Sequence, residues 1–165
     1  MSSFVKNIAL SAAFLAALTT TANAQQKEKS FNSWTVYTTE LGGKKTAYIG
    51  SHPSNQDGTF KKRDEPYFLV TCVGKGVEVS GSPGYTMPEN SEMNIAIGEQ
   101  KFLLFTKGEL AWAYDSKQDD AMIAAMKKGN NLIASAASVK NSASKDTYSL
   151  KGFTAAFNHM KALCK

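Results

Sequence analysis

Cys72 and Cys164 are the only cysteines in the 165-residue chain, and a pair of thiols is the most chemically informative feature it carries. Cys72 falls on the same strand face as Phe68 and Val70, and Cys164 ends the apolar face of a C-terminal helix. Both point inward if that helix docks on that strand. A bridge between them would close a loop of roughly 90 residues, which the chain-entropy model values at on the order of 4 to 5 kcal/mol. The alternative is two buried thiols that never meet, because spacing alone does not bring two Cα atoms within the roughly 7 Å that a bridge demands.

The other reactive residues form no recognisable set. His52 falls in a long polar segment, and His159 falls on the polar side of the last helix, where solvent exposure is expected. There is no C-x-x-C, H-E-x-x-H or calcium-loop spacing, so no metal site is expected. Asp115, Asp119 and Asp120 cluster, but a helix start explains them better than a cation loop. Gly42-Gly43-Lys44-Lys45-Thr46 has the letters of a phosphate loop without its spacing. No G-x-S-x-G elbow occurs, and no serine is singled out as a partner for either histidine. The reading assigns no catalytic residue, no cofactor and no metal ligand.

The elements that position these residues are mostly short strands. Phe31–Tyr37 and Thr46–Ile49 read as a first hairpin after a loose polar stretch, Gln25–Ser30. Gly50–Arg63 is rich in Ser, Asn, Asp, Gly and Lys and reads as a long exposed loop. Pro66–Val73 is apolar on both faces, as a central strand should be. Further strands follow at Val77–Ser80, Glu92–Ile97, Lys101–Thr106, Leu110–Tyr114, Asn131–Val139 and Thr147–Leu150. Such frequent Gly and Pro breaks leave no room for parallel crossovers, so pairing is antiparallel.

Two helices interrupt the pattern. The first, from about Ser116 to Lys128, aligns Met122, Ile123 and Met126, with acids in its first turn, Lys127 and Lys128 in its last, and Gly129 as a left-handed stop. The second runs from about Gly152 to Cys164, with Phe153, Ala156, Phe157, Met160 and Leu163 on one face. The expected fold is mainly β: an antiparallel sandwich or partly open barrel of about eight strands, with a short mid-chain helix and a C-terminal helix. Aromatics such as Trp34, Phe68, Phe105, Trp112, Tyr114 and Tyr148 lie on these faces, where core packing is the default.

Residues 1–24 read as a secretory signal peptide: Lys6, an apolar run from Ile8 to Leu18, then Ala22-Asn23-Ala24 as a small-residue cleavage site. The run of about 11 residues is too short for a bilayer span, which takes roughly 20. Residues 25–165 are then one domain, periplasmic or associated with the outer surface, with no transmembrane span. The whole chain carries a net charge of +5. Its positive blocks, Lys44-Lys45, Lys61-Lys62-Arg63 and Lys127-Lys128, read as solvated turns and a helix end. An anionic surface is a conceivable partner for them, whereas nucleic acid is not, since no aromatics interleave the blocks.

The order of motifs resembles the invasion-associated locus B family of alphaproteobacterial exported proteins. The resemblance runs through Pro66-Tyr67-Phe68-Leu69-Val70-Thr71, Gly84-Tyr85, Phe102–Thr106 with Phe105, and Ala111-Trp112-Ala113. It is strongest at Asp146-Thr147-Tyr148-Ser149-Leu150-Lys151-Gly152-Phe153, and the early Trp34 and late Cys164 also fit. The chain departs from the pattern at Ala47, where members often carry a cysteine, and at Cys72, where they often carry a histidine. The resemblance implies an envelope protein linked to host-cell association, and it supplies framework residues rather than catalytic ones.

Two function classes follow. The preferred one is a non-enzymatic binding module of the envelope, serving invasion or envelope maintenance and meeting a protein, an envelope component or a host-cell factor. The alternative is a periplasmic hydrolase with an unrecognised Ser/His or carboxylate site. A pocket holding His52 or His159 beside a serine or carboxylate would favour the hydrolase, and an aromatic patch or groove rimmed by lysine would favour binding.

Overall fold

The computed structural model describes residues 25–41 and 43–164; the expected leader, residues 1–24, lies outside the described residues. Eleven strands and two helices follow in chain order: β1 Gln26–Phe31, β2 Trp34–Leu41, β3 Lys44–Ser51, β4 Asn55–Gly58, β5 Tyr67–Val73, β6 Gly76–Ser82, β7 Glu92–Ile97, β8 Gln100–Lys107, β9 Leu110–Trp112, α1 Ser116–Lys128, β10 Asn131–Ala137, β11 Ala143–Ser149 and α2 Phe153–Leu163. All strands are antiparallel in one sheet of order β1-β2-β3-β5-β6-β9-β8-β7-β10-β11-β4.

The sheet is open, since its end strands β1 and β4 do not pair, yet it folds back on itself. Phe68 in β5 and Tyr148 in β11 are six places apart in the order, but their ring centroids lie 5.8 Å apart across the interior. Alternation builds that interior: Trp34 and Val36, Ala47 and Ile49, and Phe68, Val70 and Cys72 point in and are buried. α2 lies over β1, β2, β3 and β5 and buries Phe153, Ala156, Phe157 and Met160. The Trp34 Nε1–H donates to the Ser149 carbonyl at 2.9 Å, and its ring meets Phe153 edge-on at 5.0 Å.

The mainly β expectation holds, with eleven strands where about eight were read. The loose stretch at Gln25–Ser30 is largely β1, recruited as an edge by pairing with β2. The loop at Gly50–Arg63 contains β4, four exposed polar residues held by β11. Strand β11 begins at Ala143, ahead of the strand read at Thr147–Leu150. In each case pairing decided where side-chain pattern was silent.

α1 keeps its expected bounds, with the Asp115 carboxylate accepting from the Gln118 N–H at 2.8 Å. Gly129 is not left-handed, however: its backbone is extended, at φ −80°. Its surroundings favour glycine for another reason, because a Cβ there would lie 2.7 Å from Ile97 Cγ2 and 3.0 Å from Leu150 Cδ1, which would have to shift. His159 is not solvent-facing either. It is half-buried, its ring 5.5 Å from that of Phe31 on β1, the strand the sequence pattern hides.

Candidate functional site

Outward-facing residues of β2, β3 and β5 line a groove of about 490 Å³, a size suited to a small ligand or a short segment. Thr35, Tyr37 and Thr39 come from β2, Tyr48 and Gly50 from β3, and Tyr67, Leu69 and Thr71 from β5. The register sets them in rows: Tyr37 opposite Tyr48 opposite Thr71, and Thr35 opposite Gly50 opposite Leu69. Tyr37 and Tyr48 stack at 5.1 Å and 18°, an arrangement worth about 0.5–1.5 kcal/mol beyond burial. Gly50 makes the dip between the rings and Leu69, since a Cβ there would come within 2.9 Å of Leu69 Cδ2.

The groove carries little charge. Burial, and then the neighbouring Tyr37, push the Tyr48 phenol up to about 12. The phenol is therefore neutral at physiological pH and offers both a donor and an acceptor. The lining is aromatic faces, hydroxyls and one leucine, with His52, Ser33 and Ser51 at one end.

That end tests the hydrolase criterion. His52 Nδ1 lies 3.0 Å from the Pro66 carbonyl and 3.3 Å from Glu65 Oε1. A carbonyl only accepts, so Nδ1 carries a proton, and Nε2 is an acceptor only in the neutral ring. Ser51, though adjacent, donates its hydroxyl to the Ser33 carbonyl at 2.7 Å. Among the described residues no serine hydroxyl hydrogen-bonds to either imidazole. The groove thus holds a histidine with a carboxylate behind it and no aligned nucleophile. It is aromatic, but no lysine lines it.

The cysteines do meet. Cys72 and Cys164 form a disulfide with Cα atoms 6.1 Å apart and a separation of 92 residues, tying the end of α2 to β5. The positive block Lys61-Lys62-Arg63 is not uniformly solvated. The Arg63 side chain is buried and donates to both carboxylate oxygens of Asp146, at 2.7 and 2.5 Å, and to the Pro83 carbonyl and Gln56 Oε1. Sequence reading missed this pair, because Asp146 follows Lys145 in a polar stretch and nothing local marks it as buried.

The other residues of the resemblance divide between interior and surface. Trp34, Tyr148 and Phe153 are core. The Tyr85 hydroxyl sits 2.9 Å from the Ala136 carbonyl, to which it donates, and 2.7 Å from Ser144 Oγ. The Thr147 carbonyl receives the Ser54 N–H at 2.8 Å. Gly84 and Gly152 hold φ of +77° and +89° against the Asp64 and Phe31 carbonyls, where any Cβ would collide. Pro66 is buried and Tyr67 lines the groove. Phe105 and Trp112 are not core but belong to a second cavity on the outer face, and Tyr114 beside them is exposed.

This geometry defines a β-rich scaffold: one curled antiparallel sheet, a helix bridged across it, and an aromatic outer face. The chain belongs to the invasion associated locus B (IalB) family, whose model matches residues 69–161, from β5 into α2. The fold is similar to the crystal structure of invasion associated protein B from Bartonella henselae, with a TM-score of 0.61 at 16% identity, over 83% of this chain and 95% of that one. No curated protein matches the chain.

Proposed function

We propose that this IalB-family protein is exported and acts without catalysis, as a binding module of the envelope that meets an envelope or host-cell component through the β2–β3–β5 groove. One observation carries the reading: a preformed dip, floored by Gly50 and walled by stacked tyrosines, on a face where strands of a soluble sheet more often carry charge. Export accords with the short apolar leader and with the disulfide, which persists in oxidising compartments. Among the described residues no helix is long and apolar enough to cross a membrane.

The test is capture of envelope and host-cell fractions by residues 25–165 and by the same protein carrying Gly50→Leu. Expected is a partner retained by the first and lost by the second. Equal capture by both removes the groove from the proposal. A hydrolytic role is the second reading, favoured only by His52 lying against the Glu65 carboxylate at one end of the groove. It requires turnover that His52→Ala abolishes, whereas the binding role predicts capture unchanged by that substitution.

A further inference from the structure

A second cavity, of about 560 Å³, opens on the outer face where β6, β8, β9 and the start of α1 converge. The register runs from Ser80 to Trp112, to Phe105, to Glu92. Phe105 and Trp112 stack at 5.5 Å and 24°, and Tyr114 leans on Phe105 at 5.5 Å and 57°. Phe105 is 37% and Tyr114 56% exposed.

This exposure is built rather than incidental. The Tyr114 hydroxyl donates to Glu92 Oε1 at 2.7 Å, and its backbone N–H donates to Gln118 Oε1 at 2.9 Å. Gln118 Nε2 donates in turn to the Leu103 carbonyl at 2.8 Å. A ring fixed at both ends in the open has lost its rotamer freedom before any ligand arrives, which lowers the cost of binding.

The cavity also collects negative charge in a chain of net +5. Glu78, Asp115 and Asp119 line it, against Lys107 alone. Asp119 is 7% exposed. Its Oδ1 accepts from the Val79 N–H at 2.8 Å, while its Oδ2 accepts from no described group. Burial, then Glu78, Asp120 and Asp115, raise its pKa, against the lowering by the Val79 bond.

Aromatic faces and carboxylates share one preference, for positive charge. An anion is repelled here, and a neutral sugar leaves the carboxylates uncompensated. Among the described residues no three His, Cys, Asp or Glu are placed to hold a metal ion. An organic cation satisfies both features, and a carboxylate whose second oxygen lines the cavity without a described partner favours a cation that brings N–H donors.

We propose that this cavity binds a primary alkylammonium group, its N–H donors turned to Asp119 and Glu78 and its apolar stem against Trp112, Phe105 and Tyr114. The site is separate from the β2–β3–β5 groove and stands whether or not that groove binds anything.

The experiment titrates the disulfide-bonded protein, residues 25–165, with n-butylammonium and with n-butanol, its neutral counterpart, following the Trp112 indole N–H and Tyr114 ring resonances by NMR. Expected is saturable binding of the amine, at least about ten-fold tighter than the alcohol. Glu78→Gln and Tyr114→Ala, both surface changes, should each weaken it by about three-fold or more while leaving the rest of the spectrum unmoved. Gly50→Leu should leave it intact. Nα-acetyl-lysine amide in place of butylammonium separates the sources: tighter binding assigns the site to a lysine side chain, and equal or weaker binding to a free amine. Equal affinity for amine and alcohol, no saturation, or wild-type affinity in both Glu78→Gln and Tyr114→Ala overturns the proposal.

Discussion

Arg63 holds Asp146 through both terminal guanidinium nitrogens, with the two side chains only 3% and 2% exposed. Phe60 stacks under the guanidinium at 3.8 Å, and Arg63 Nε is buried with no partner. The pair joins the segment after β4 to the middle of β11, although the two residues are 83 positions apart in sequence.

Removing one member leaves the other charge buried and alone, so Asp146→Ala and Arg63→Ala should each destabilise by about 3–5 kcal/mol. The double change Arg63→Met with Asp146→Leu should recover most of that loss, because two apolar side chains leave no orphan charge. Urea unfolding of the three variants checks this. A double variant as unstable as the singles would mean that the loop needs the ion pair itself.

That pair also shows where sequence reading stops. Arg63 follows two lysines, and a run of three cations reads as a solvated turn. Only the pairing of β4 with β11 brings Gln56 and Asp146 to it. Asn55–Gly58 has no apolar alternation because all four residues are exposed. By contrast the extent of α1 was legible, since Asp115, Lys127, Lys128 and the Met122–Met126 stripe each mark a position that local physics fixes, although the conformation of Gly129 was not. The inward aim of Cys72 and Cys164 was legible for the same reason. The groove was not: it depends on Tyr37 and Tyr48 standing opposite each other, a register that neither strand encodes alone.

The Cys72–Cys164 bridge closes a 92-residue span, so the entropy model gives it about 4–5 kcal/mol. Denaturant unfolding with and without dithiothreitol should show a loss of that order in the wild type. Cys72→Ser with Cys164→Ser should be insensitive to the reductant and match the reduced wild type. α2 should remain docked in both, because Phe153 and Met160 are fully buried beneath it. Loss of the helical signal on reduction would show that the bridge, rather than the apolar face, holds the helix.

Gly50 and Gly152 should respond to alanine by very different amounts. At Gly152, φ is +89° and a Cβ meets the Phe31 carbonyl, so Gly152→Ala should cost about 2 kcal/mol or more. At Gly50 the nearest atom is the movable end of Leu69, and Gly50→Ala should change stability by less than about 1 kcal/mol. Thermal unfolding of the two variants separates a glycine kept for backbone shape from one that keeps a groove open.

Tyr48 supplies an optical probe of the same groove. Its phenol, pushed up to about 12 by burial and by Tyr37, should ionise after the exposed tyrosines in an absorbance titration. A folded-state value above the ordinary 10.0 means that its contribution to stability is intact below pH 10.0 and lost as pH climbs toward 12. Tyr48→Phe should therefore flatten the alkaline fall in stability over that window.

Asp119 gives the acid-side counterpart. Its carboxyl is raised above the usual 3.8, first by burial and then by surrounding acids, so the folded protein holds its proton more tightly than the unfolded chain. Stability from this group is full below its ordinary range and is lost as pH rises through the raised value. Asp119→Asn keeps an acceptor for the Val79 N–H but removes the titration. The wild type should therefore gain stability relative to Asp119→Asn as pH is lowered from neutrality into the carboxylate range. Paired urea unfolding at about pH 7 and about pH 4.5 measures the difference, and a gap that stays constant or closes in the other direction would show that the carboxylate is held charged. The same charge is what the second cavity offers a cation, so alkylammonium affinity should fall over the same interval, linking the stability of α1 to the occupancy of the site it borders.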